Sequence, residues 1–253
     1  MTDLTVMTPI VSKDAMPLAS GFKLRRADSR HSADQGWLQS NFSFSFADYF
    51  DPEWTHFENL RVINDDTIAP SGGFPLHPHE NFEIFSYVVD GALKHRDSMG
   101  NSSVVTGGGV QYMSAGSGVR HSEFNPSSQT PVRLLQVWLV PNTENEAPRY
   151  DTQDILPEEK DGRLKLFLSH DGRNGSMRIK ADADIYAATL SGDQSVTFDV
   201  REGHKAWIQV VDGSLDVNGA ALNRGDGLAV NNAGILNLSQ GQNAEFLLFD
   251  LWR

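Results

Sequence analysis

Turn dipeptides divide this chain into short stretches with the composition of β-strands. Asp90-Gly91, Asp212-Gly213 and Asn218-Gly219 each separate two runs rich in β-branched and aromatic residues. Such dipeptides readily adopt the positive φ angles that tight hairpins require. Helical periodicity is weak, and the best helical candidates are the short segments 28–35 and 152–156. The pattern predicts an all-β protein built as a barrel or jelly roll.

The chain repeats one strand pattern on either side of an acidic boundary. Residues 142–162 are rich in Glu, Asp, Asn and Pro, which do not sustain a buried strand. The run Val88–Leu93 before this segment resembles Val210–Leu215 after it, since each is a strand, an Asp-Gly turn and a second strand. The sequence therefore predicts two tandem β-barrels, formed by residues 1–145 and 146–253.

Two short sequence motifs in the first half carry side chains that bind metals. His77-Pro78-His79 and His121-Ser122-Glu123 each place two such residues at positions i and i+2, on the same face of an extended strand. With 8 His in the chain, chance alone gives about 0.25 His-x-His triplets, so glycine-rich flanks add needed support. Adjacent strands would direct three imidazoles and a carboxylate to one point. The second half has only His204 at the matching place, which we interpret as structural.

Composition limits the possible partners and location of the protein. The 21 basic and 33 acidic residues give a net charge of −12, which argues against nucleic-acid binding and against attraction to an anionic membrane. The chain has no Cys, so disulfides, thiolate metal sites and Cys nucleophiles are excluded. Residues 1–17 lack the pattern of a signal peptide, and no apolar run reaches the ~20 residues of a spanning helix. We expect a cytoplasmic protein without membrane contact.

The residues around both motifs resemble the pirin family of bicupins. The resemblance covers nearly the whole chain, and the second half resembles the second cupin domain of the bacterial quercetinase-like branch. The segments that carry it in the first half are Gly36–Leu38, Phe42–Tyr49, Leu60–Asp66, His77–His79, His95–Gly100, Met113–Gly116 and His121–Glu123. Those in the second half are Ala206–Val210 and Leu247–Leu251.

This resemblance implies a fold, a ligand set and an activity. It implies two jelly-roll cupin barrels, with metal ligands His77, His79, His121 and Glu123 in the first and none in the second. Glu83 corresponds to a ligand of many other cupins but not of pirins, so we leave it outside the set. The implied reaction is cleavage of the heterocyclic ring of a flavonol such as quercetin with O2 and release of CO. Glu123 would also act as the catalytic base that takes the proton of the substrate hydroxyl.

The metal and the role of the protein have alternatives. Three imidazoles and a carboxylate suit Fe2+, which we expect, and also Mn2+, Ni2+, Co2+, Cu2+ or Zn2+, but not Ca2+ or Mg2+. Zinc with these four ligands would form a closed structural site, whereas a six-coordinate ion would keep two positions open for substrate. The alternative role is that of a redox-sensing regulatory protein that acts through a protein partner, with quercetin cleavage as a side activity.

Three further features have structural interpretations. Asp65-Asp66 could be a metal-binding or acid–base pair, but adjacent strand residues point to opposite faces, so we expect a turn or cap instead. Alternating Phe42, Phe44 and Phe46 are expected on one face, packed in a core, with stacking on a substrate as the alternative. His95 and Asp97 share a face and would form a hydrogen-bonded pair that holds a hairpin or orients a ligand.

Overall fold

Almost every ordered element of the protein is a β-strand. The computed structural model describes residues 18–252. The strands of the first half are β1 (Phe22–Arg25), β2 (His31–Asp34), β3 (Leu38–Phe42), β4 (Leu60–Ile68), β5 (Gly73–His79), β6 (Glu83–Asp90), β7 (Ala92–Asp97), β8 (Ser102–Thr106), β9 (Gly109–Ser114), β10 (Val119–Phe124), β11 (Val132–Leu139) and β12 (Arg149–Asp154). Those of the second half are β13 (Lys165–Ser169), β14 (Met177–Arg178), β15 (Ala183–Leu190), β16 (Val196–Val200), β17 (His204–Val217), β18 (Ala220–Asn223), β19 (Gly227–Val230) and β20 (Gly234–Trp252). The predicted all-β class is confirmed.

The helical elements are short and differ from the predicted ones. They are two 3-10 helices, Ala27–Ser29 and Arg173–Gly175, and one α-helix, α1 (Pro157–Lys160). The predicted helix over 28–35 is wrong beyond its first turn, because β2 follows directly. The predicted helix over 152–156 is also wrong, since Thr152 lies in β12. The helix begins at Pro157 instead, where the ring fixes a helical φ and the missing N–H costs no hydrogen bond.

The first half forms a sandwich of two antiparallel sheets. One sheet has the strand order β12-β9-β6-β11-β4-β3-β2, and the other has the order β5-β10-β7-β8. Side chains of the larger sheet alternate between its two faces, as pleating requires. On β4, Ile68 packs toward the smaller sheet with Leu93 and Val105, whereas Ile63 packs on the opposite face toward the second half.

The second half forms one curved sheet that closes around an apolar interior. The sheet follows the order β1-β19-β17-β20-β15-β13-β14, with β16 paired to β20 and β18 paired to β17. Strands β17 and β20 are long and change register, so each bends and serves both sides of the barrel. Leu, Val, Ile, Ala and Phe side chains fill the interior, among them Ile208, Leu228 and Phe246.

The largest apolar cluster lies between the two halves and joins them. Its centre is Trp207 on β17, which is fully buried. The indole contacts aromatic rings of the first half, with centroid distances of 4.9 Å to Phe44, 5.8 Å to Trp54 and 5.7 Å to Phe57. Gly227 leaves room for it, since a Cβ there would lie 2.2 Å from the indole. The halves therefore share one interfacial core.

Strand pairing crosses the predicted division of the chain twice. Strand β1 pairs with β19 in the sheet of the second half, with Phe22 opposite Val230. Strand β12 pairs with β9 in the sheet of the first half, with Arg149 opposite Ser114. The boundary between residues 145 and 146 stays a prediction. However, the larger sheet of the first half and the sheet of the second half each contain a strand from the other side of it.

Candidate metal centre and its cavity

Pairing of β5 with β10 brings the three predicted histidine ligands together. His77 lies directly opposite His121, and His79 is two residues along on the same face. The ring centroids are 4.8 Å apart for His77 and His79, 4.4 Å for His77 and His121, and 4.9 Å for His79 and His121. Each ring has one nitrogen that lies within 4.8 Å of a nitrogen of both other rings. The histidines of the two sequence motifs thus lie together, and their role as metal ligands stays a prediction.

A close backbone contact fixes this pairing. At Gly73, a Cβ atom would lie 2.3 Å from the carbonyl oxygen of Glu123, so no larger residue fits there without moving the strands. The register shifts between His121 and Glu123, which marks a β-bulge. Gly73 precedes His77 on β5, and the glycine therefore helps to set which residues stand opposite the histidines.

Two of the three imidazoles are in the neutral form that binds a metal. Both ring nitrogens of buried His121 lack a hydrogen-bond partner among the described residues. Burial, and then the neighbouring histidines, lower the pKa of His121 to about 3 and that of His79 to about 4, so both rings are neutral at pH 7. The Nδ1 atom of His77 lies 2.7 Å from the Pro75 carbonyl, which leaves Nε2 for the cluster. This donor set fits a divalent transition metal.

Glu123 lies beside the histidines and is held by neutral donors. It belongs to a second cluster, with His121 and His95, whose potential ligand atoms lie within 4.8 Å of one another. Gln136 Nε2 donates to Glu123 Oε2 at 3.0 Å, and Ser86 Oγ and Gln111 Nε2 donate to Oε1, the former at 3.2 Å. The carboxylate is thereby oriented without an adjacent cation. Sequence inspection did not identify these three donors.

The donors form a polar row across the larger sheet. Gln111 on β9 stands opposite Ser86 on β6, which stands opposite Gln136 on β11, which stands opposite Asn64 on β4. Residues in register point to the same face, and here that face is the barrel interior. One line of side chains therefore supports the carboxylate, with Asn64 at its end.

The predicted pair of His95 and Asp97 is present. His95 Nε2 lies 3.1 Å from Asp97 Oδ2, and the imidazole stacks on Tyr150 at 4.1 Å. Asp97 also accepts hydrogen bonds from the backbone of Met99 and Asn101, so it holds the β7–β8 hairpin. The His95 ring centroid is 5.3 Å from that of His121. These hydrogen bonds support the hairpin role of the pair, whereas the role in orienting a ligand stays a prediction.

Glu83 lies outside both clusters and is bound elsewhere. Its carboxylate accepts hydrogen bonds from Tyr112 Oη, from Ser114 Oγ at 2.6 Å and from the backbone N–H of Lys180 at 2.9 Å. The last of these contacts comes from the second half. Glu83 thus ties the two halves together.

A cavity of about 340 Å³ opens beside the histidines. This volume is within the ~300–1,000 Å³ range of small-molecule sites. His77, His79, Glu123 and Gln136 lie along its lining. Aromatic and apolar side chains supply most of the remaining walls: Trp37, Leu38, Phe42, Phe46, Phe74 and Trp138. The cavity suits a flat aromatic ligand next to a metal.

The alternating phenylalanines divide between the cavity and the interfacial core. Phe42 and Phe46 line the cavity, with their ring centroids 5.2 Å apart. Phe44 is buried against Trp207. The expectation that all three pack on one face of a core is therefore wrong. Strand β3 ends at Phe42, so strand alternation does not relate the three residues.

The expectation that Asp65-Asp66 forms a turn or cap is also wrong. Both residues lie within β4 and are buried. Asp65 faces the second half and accepts two hydrogen bonds from Arg133. Asp66 faces the barrel, lines the cavity and accepts a hydrogen bond from Ser40. A pair of adjacent carboxylates in a central strand has no signature that separates it from a turn in a sequence alone.

Asp66→Asn should stabilise the protein in a pH-dependent way. Burial raises the pKa of Asp66 to about 7, against the pull of the Ser40 hydrogen bond. The unfolded-state pKa is about 3.9. The contribution of Asp66 to stability is therefore greatest below about pH 4 and is lost as pH rises through about 7. Asn does not ionise, so the variant should gain up to about 4 kcal/mol at pH 8, or on the order of 10 °C in melting temperature.

Thermal melts of metal-free wild type and variant at pH 5 and pH 8 test this expectation. The gap in melting temperature should be small at pH 5 and several-fold larger at pH 8. An equal gap at both values would show that Asp66 keeps an ordinary pKa.

A third cluster of potential metal ligands, in the second half, is already neutralised. His170, Asp171 and Asp184 lie close together. Arg173 pairs with Asp171 at 2.9 Å and with Asp184 at 2.5 Å, so its guanidinium occupies the space between the carboxylates. Elsewhere in this half, His204 Nδ1 lies 2.8 Å from Asp250. That contact agrees with a structural role for His204.

Within residues 18–252, none of the helices has the length and apolar character that crossing a membrane demands.

Comparison with known proteins places the chain in a family. The family profile named Pirin matches residues 22–139, and the profile described as the quercetinase C-terminal cupin domain matches residues 166–251. Quercetin 2,3-dioxygenase of Escherichia coli K12 is 41% identical over 228 residues, which cover 90% of this chain and 97% of that protein. A pirin-like protein of Caulobacter vibrioides is 36% identical over 224 residues, or 88% of this chain and 96% of that protein.

The crystal structure of the bacterial pirin YhhW from Escherichia coli in complex with nickel(II) is similar in fold. It superimposes with a TM-score of 0.87 at 40% identity, and covers 91% of this chain and 98% of that chain. The predicted bicupin fold and the predicted likeness to quercetin 2,3-dioxygenases are confirmed by these matches. The chain belongs to the pirin family, with a quercetinase-type cupin as its second domain.

Proposed function

We propose that the protein is a metal-dependent dioxygenase that cleaves flavonols such as quercetin. The observation that carries the proposal is a cluster of three histidines, two of which line an aromatic cavity together with an oriented carboxylate. A relative that is named quercetin 2,3-dioxygenase supports the substrate class, and a nickel(II)-bound relative supports a divalent metal. We assign the metal to His77, His79, His121 and Glu123, with Fe2+ as the first candidate.

The residues present account for binding and for one proton transfer. A divalent metal at the histidines would act as a Lewis acid that lowers the pKa of a coordinated hydroxyl group. Glu123 then accepts the proton of the flavonol 3-hydroxyl at a carboxylate oxygen. Gln111, Gln136 and Ser86 keep that carboxylate in place through the hydrogen bonds described above. All three donors are neutral amide or hydroxyl groups, so none of them competes with the metal for the carboxylate by an ion pair.

The cavity walls position the substrate. Trp138 stands edge-on to His79, with a centroid distance of 4.8 Å, and Phe46 stands edge-on to Trp138 at 5.5 Å. These rings form an apolar wall beside the histidines that a planar flavonol can pack against. Apolar walls also exclude water from the reacting atoms. The overall reaction takes up one O2 and releases one CO per flavonol.

The decisive experiment is an aerobic assay of protein that has been stripped of metal and reloaded with one metal at a time. Fe2+, Mn2+, Ni2+, Co2+, Cu2+ and Zn2+ are compared, with quercetin absorbance, O2 consumption and CO release as readouts. We expect turnover with at least one redox-active metal, equal molar amounts of O2 consumed and CO released, and no turnover after chelation. His121→Ala is the matched variant and should lose both metal and turnover.

No turnover with any metal, in protein that retains a full equivalent of that metal, would contradict the proposal. That result would favour the alternative of a regulatory protein that acts through a protein partner.

A further inference from the structure

The cavity has a second polar group, separate from the histidine cluster. Asp66 on β4 and Ser40 on β3 stand opposite each other in the sheet, and Ser40 Oγ donates to Asp66 Oδ1. Asn64 lies two residues before Asp66 on the same face, and all three residues line the cavity. Otherwise this part of the wall is apolar, with Leu38 and Phe42 as neighbours on β3.

Several polar atoms of this wall lack partners within the protein. Asn64 is 3% exposed, and its Oδ1 has no hydrogen-bond partner among residues 18–252. At the histidine end of the cavity, Trp138 Nε1 is likewise without an acceptor in that range. In the same range, the side chain of Asp66 makes one hydrogen bond, to Ser40 through Oδ1, which leaves Oδ2 for a ligand. Buried polar groups are rarely left unpaired, so this wall is built to be completed by a bound molecule.

The contrast with Asp65 indicates the kind of group that binds. Asp65 accepts two hydrogen bonds from Arg133, whereas the side chain of Asp66 contacts a neutral hydroxyl group. An unneutralised carboxyl in an apolar cavity repels a carboxylate or phosphate and accepts a hydrogen bond from a phenol. Phenolic O–H groups are strong donors, and the surrounding rings suit the aromatic body that carries them.

The register of the strands sets the distance between this wall and the catalytic end. Gln136, which holds Glu123, stands opposite Asn64. Asp66 lies two residues farther along β4. Asp66 and Gln136 are thus two residues apart along the strand direction and one strand apart across the sheet, which corresponds to about 8 Å between their α-carbons. A multi-ring aromatic molecule with hydroxyl groups at both ends can therefore contact both sites at once.

We propose that Asp66, oriented by Ser40 and flanked by Asn64, binds a second phenolic hydroxyl of the substrate, at the end of the cavity away from the histidines. This assignment rests on the proposed flavonol activity and narrows the substrate class. The site selects neutral polyhydroxylated aromatics over aromatics that carry a carboxylate at that end. Asp66 is a specificity-determining residue in this proposal, and it takes no part in the proton transfer at Glu123.

Binding measurements with Ni2+-loaded protein in the absence of O2 test the proposal without turnover. The probes are quercetin and flavonols that lack, one at a time, its 5-hydroxyl, its 7-hydroxyl or a hydroxyl of its catechol ring. At pH 8, where most of Asp66 is ionised, wild type should bind one of these analogues at least about 10-fold more weakly than quercetin, which corresponds to the loss of a hydrogen bond to a charged group. In Asp66→Leu, quercetin should bind at least about 10-fold more weakly, and the discrimination against that one analogue should disappear.

Controls keep the outcomes distinct. Ser40→Ala, which leaves Asp66 unoriented, should weaken the same discrimination. Asp90→Asn changes an exposed carboxylate at the end of β6 and should match wild type. Metal content and circular dichroism should confirm that each variant is folded.

If wild type binds quercetin and Asp66→Leu keeps the same analogue preference, the Asp66 assignment is overturned and the flavonol function stands. If wild type binds none of the flavonols, the flavonol function is overturned, and the assignment with it.

Discussion

Glu123→Gln is expected to lower quercetin turnover by about 10²–10⁴-fold, the usual contribution of a general base. A glutamine side chain does not accept the proton of the flavonol hydroxyl. Its own amide N–H would also face the Gln111 or Gln136 donors that the carboxylate now satisfies. The metal should largely remain, because His77, His79 and His121 form a cluster without Glu123. Turnover and metal content are measured on the same reloaded sample.

Glu83→Gln is the matched control for this substitution. It makes the same chemical change at another buried carboxylate, which binds Tyr112, Ser114 and the backbone of Lys180 rather than the histidine clusters. We expect a less stable protein whose turnover per bound metal is near that of wild type. The base assignment is refuted if Glu123→Gln retains more than about a tenth of wild-type turnover, well above the range for loss of a general base.

Trp207→Ala should destabilise both halves of the protein together. Replacing a fully buried tryptophan with alanine typically costs about 3–5 kcal/mol through lost contacts and the remaining cavity. For a chain of this size that corresponds to a decrease in melting temperature on the order of 10 °C. The indole belongs to the second half, but its aromatic neighbours Phe44, Trp54 and Phe57 belong to the first. Unfolding is followed by circular dichroism and by release of the bound metal.

Trp252→Ala provides the comparison for Trp207→Ala. Trp252 is only partly buried and contacts His170 and His204 within the second half. Its loss should cost clearly less than the loss of Trp207. If Trp207→Ala releases the metal at the wild-type temperature while the second half melts earlier, then the interfacial core does not couple the two halves.

The sequence was sufficient to predict the histidine part of the site because its spacing is local. His77 and His79 share a face by strand periodicity alone, as do His121 and Glu123. Glycines beside these motifs supported their selection. Gly73 shows the physical reason for a glycine there, since a side chain would collide with the Glu123 backbone. The turn dipeptides likewise predicted the strands. These signals act within a few residues, so they can be read without knowledge of the fold.

The supports of Glu123 could not be predicted in the same way. Gln111, Ser86 and Gln136 come from three different strands, and only sheet order and register bring them to one line. A lone Gln or Ser is more often exposed than buried, so its residue type alone does not indicate a buried role. Asp66 was misassigned for a related reason, because an acidic pair favours turns locally, while the fold buries it across from Ser40. The burial of Phe44 between the two halves could not be predicted without knowledge of its contact with Trp207.

The pairing of β1 with β19 has a consequence for the time course of folding. Phe22 is made early during synthesis, but its partner Val230 follows roughly 200 residues later. The first strand therefore leaves the ribosome long before it can pair, whereas β2 to β11 can assemble as soon as they emerge. The paired residues of β1 and β19 are far apart in sequence, so this pairing is expected to form slowly compared with a hairpin. Completion of the second barrel thus depends on a strand made long before its partner, and this part of the assembly waits until Val230 has been synthesised.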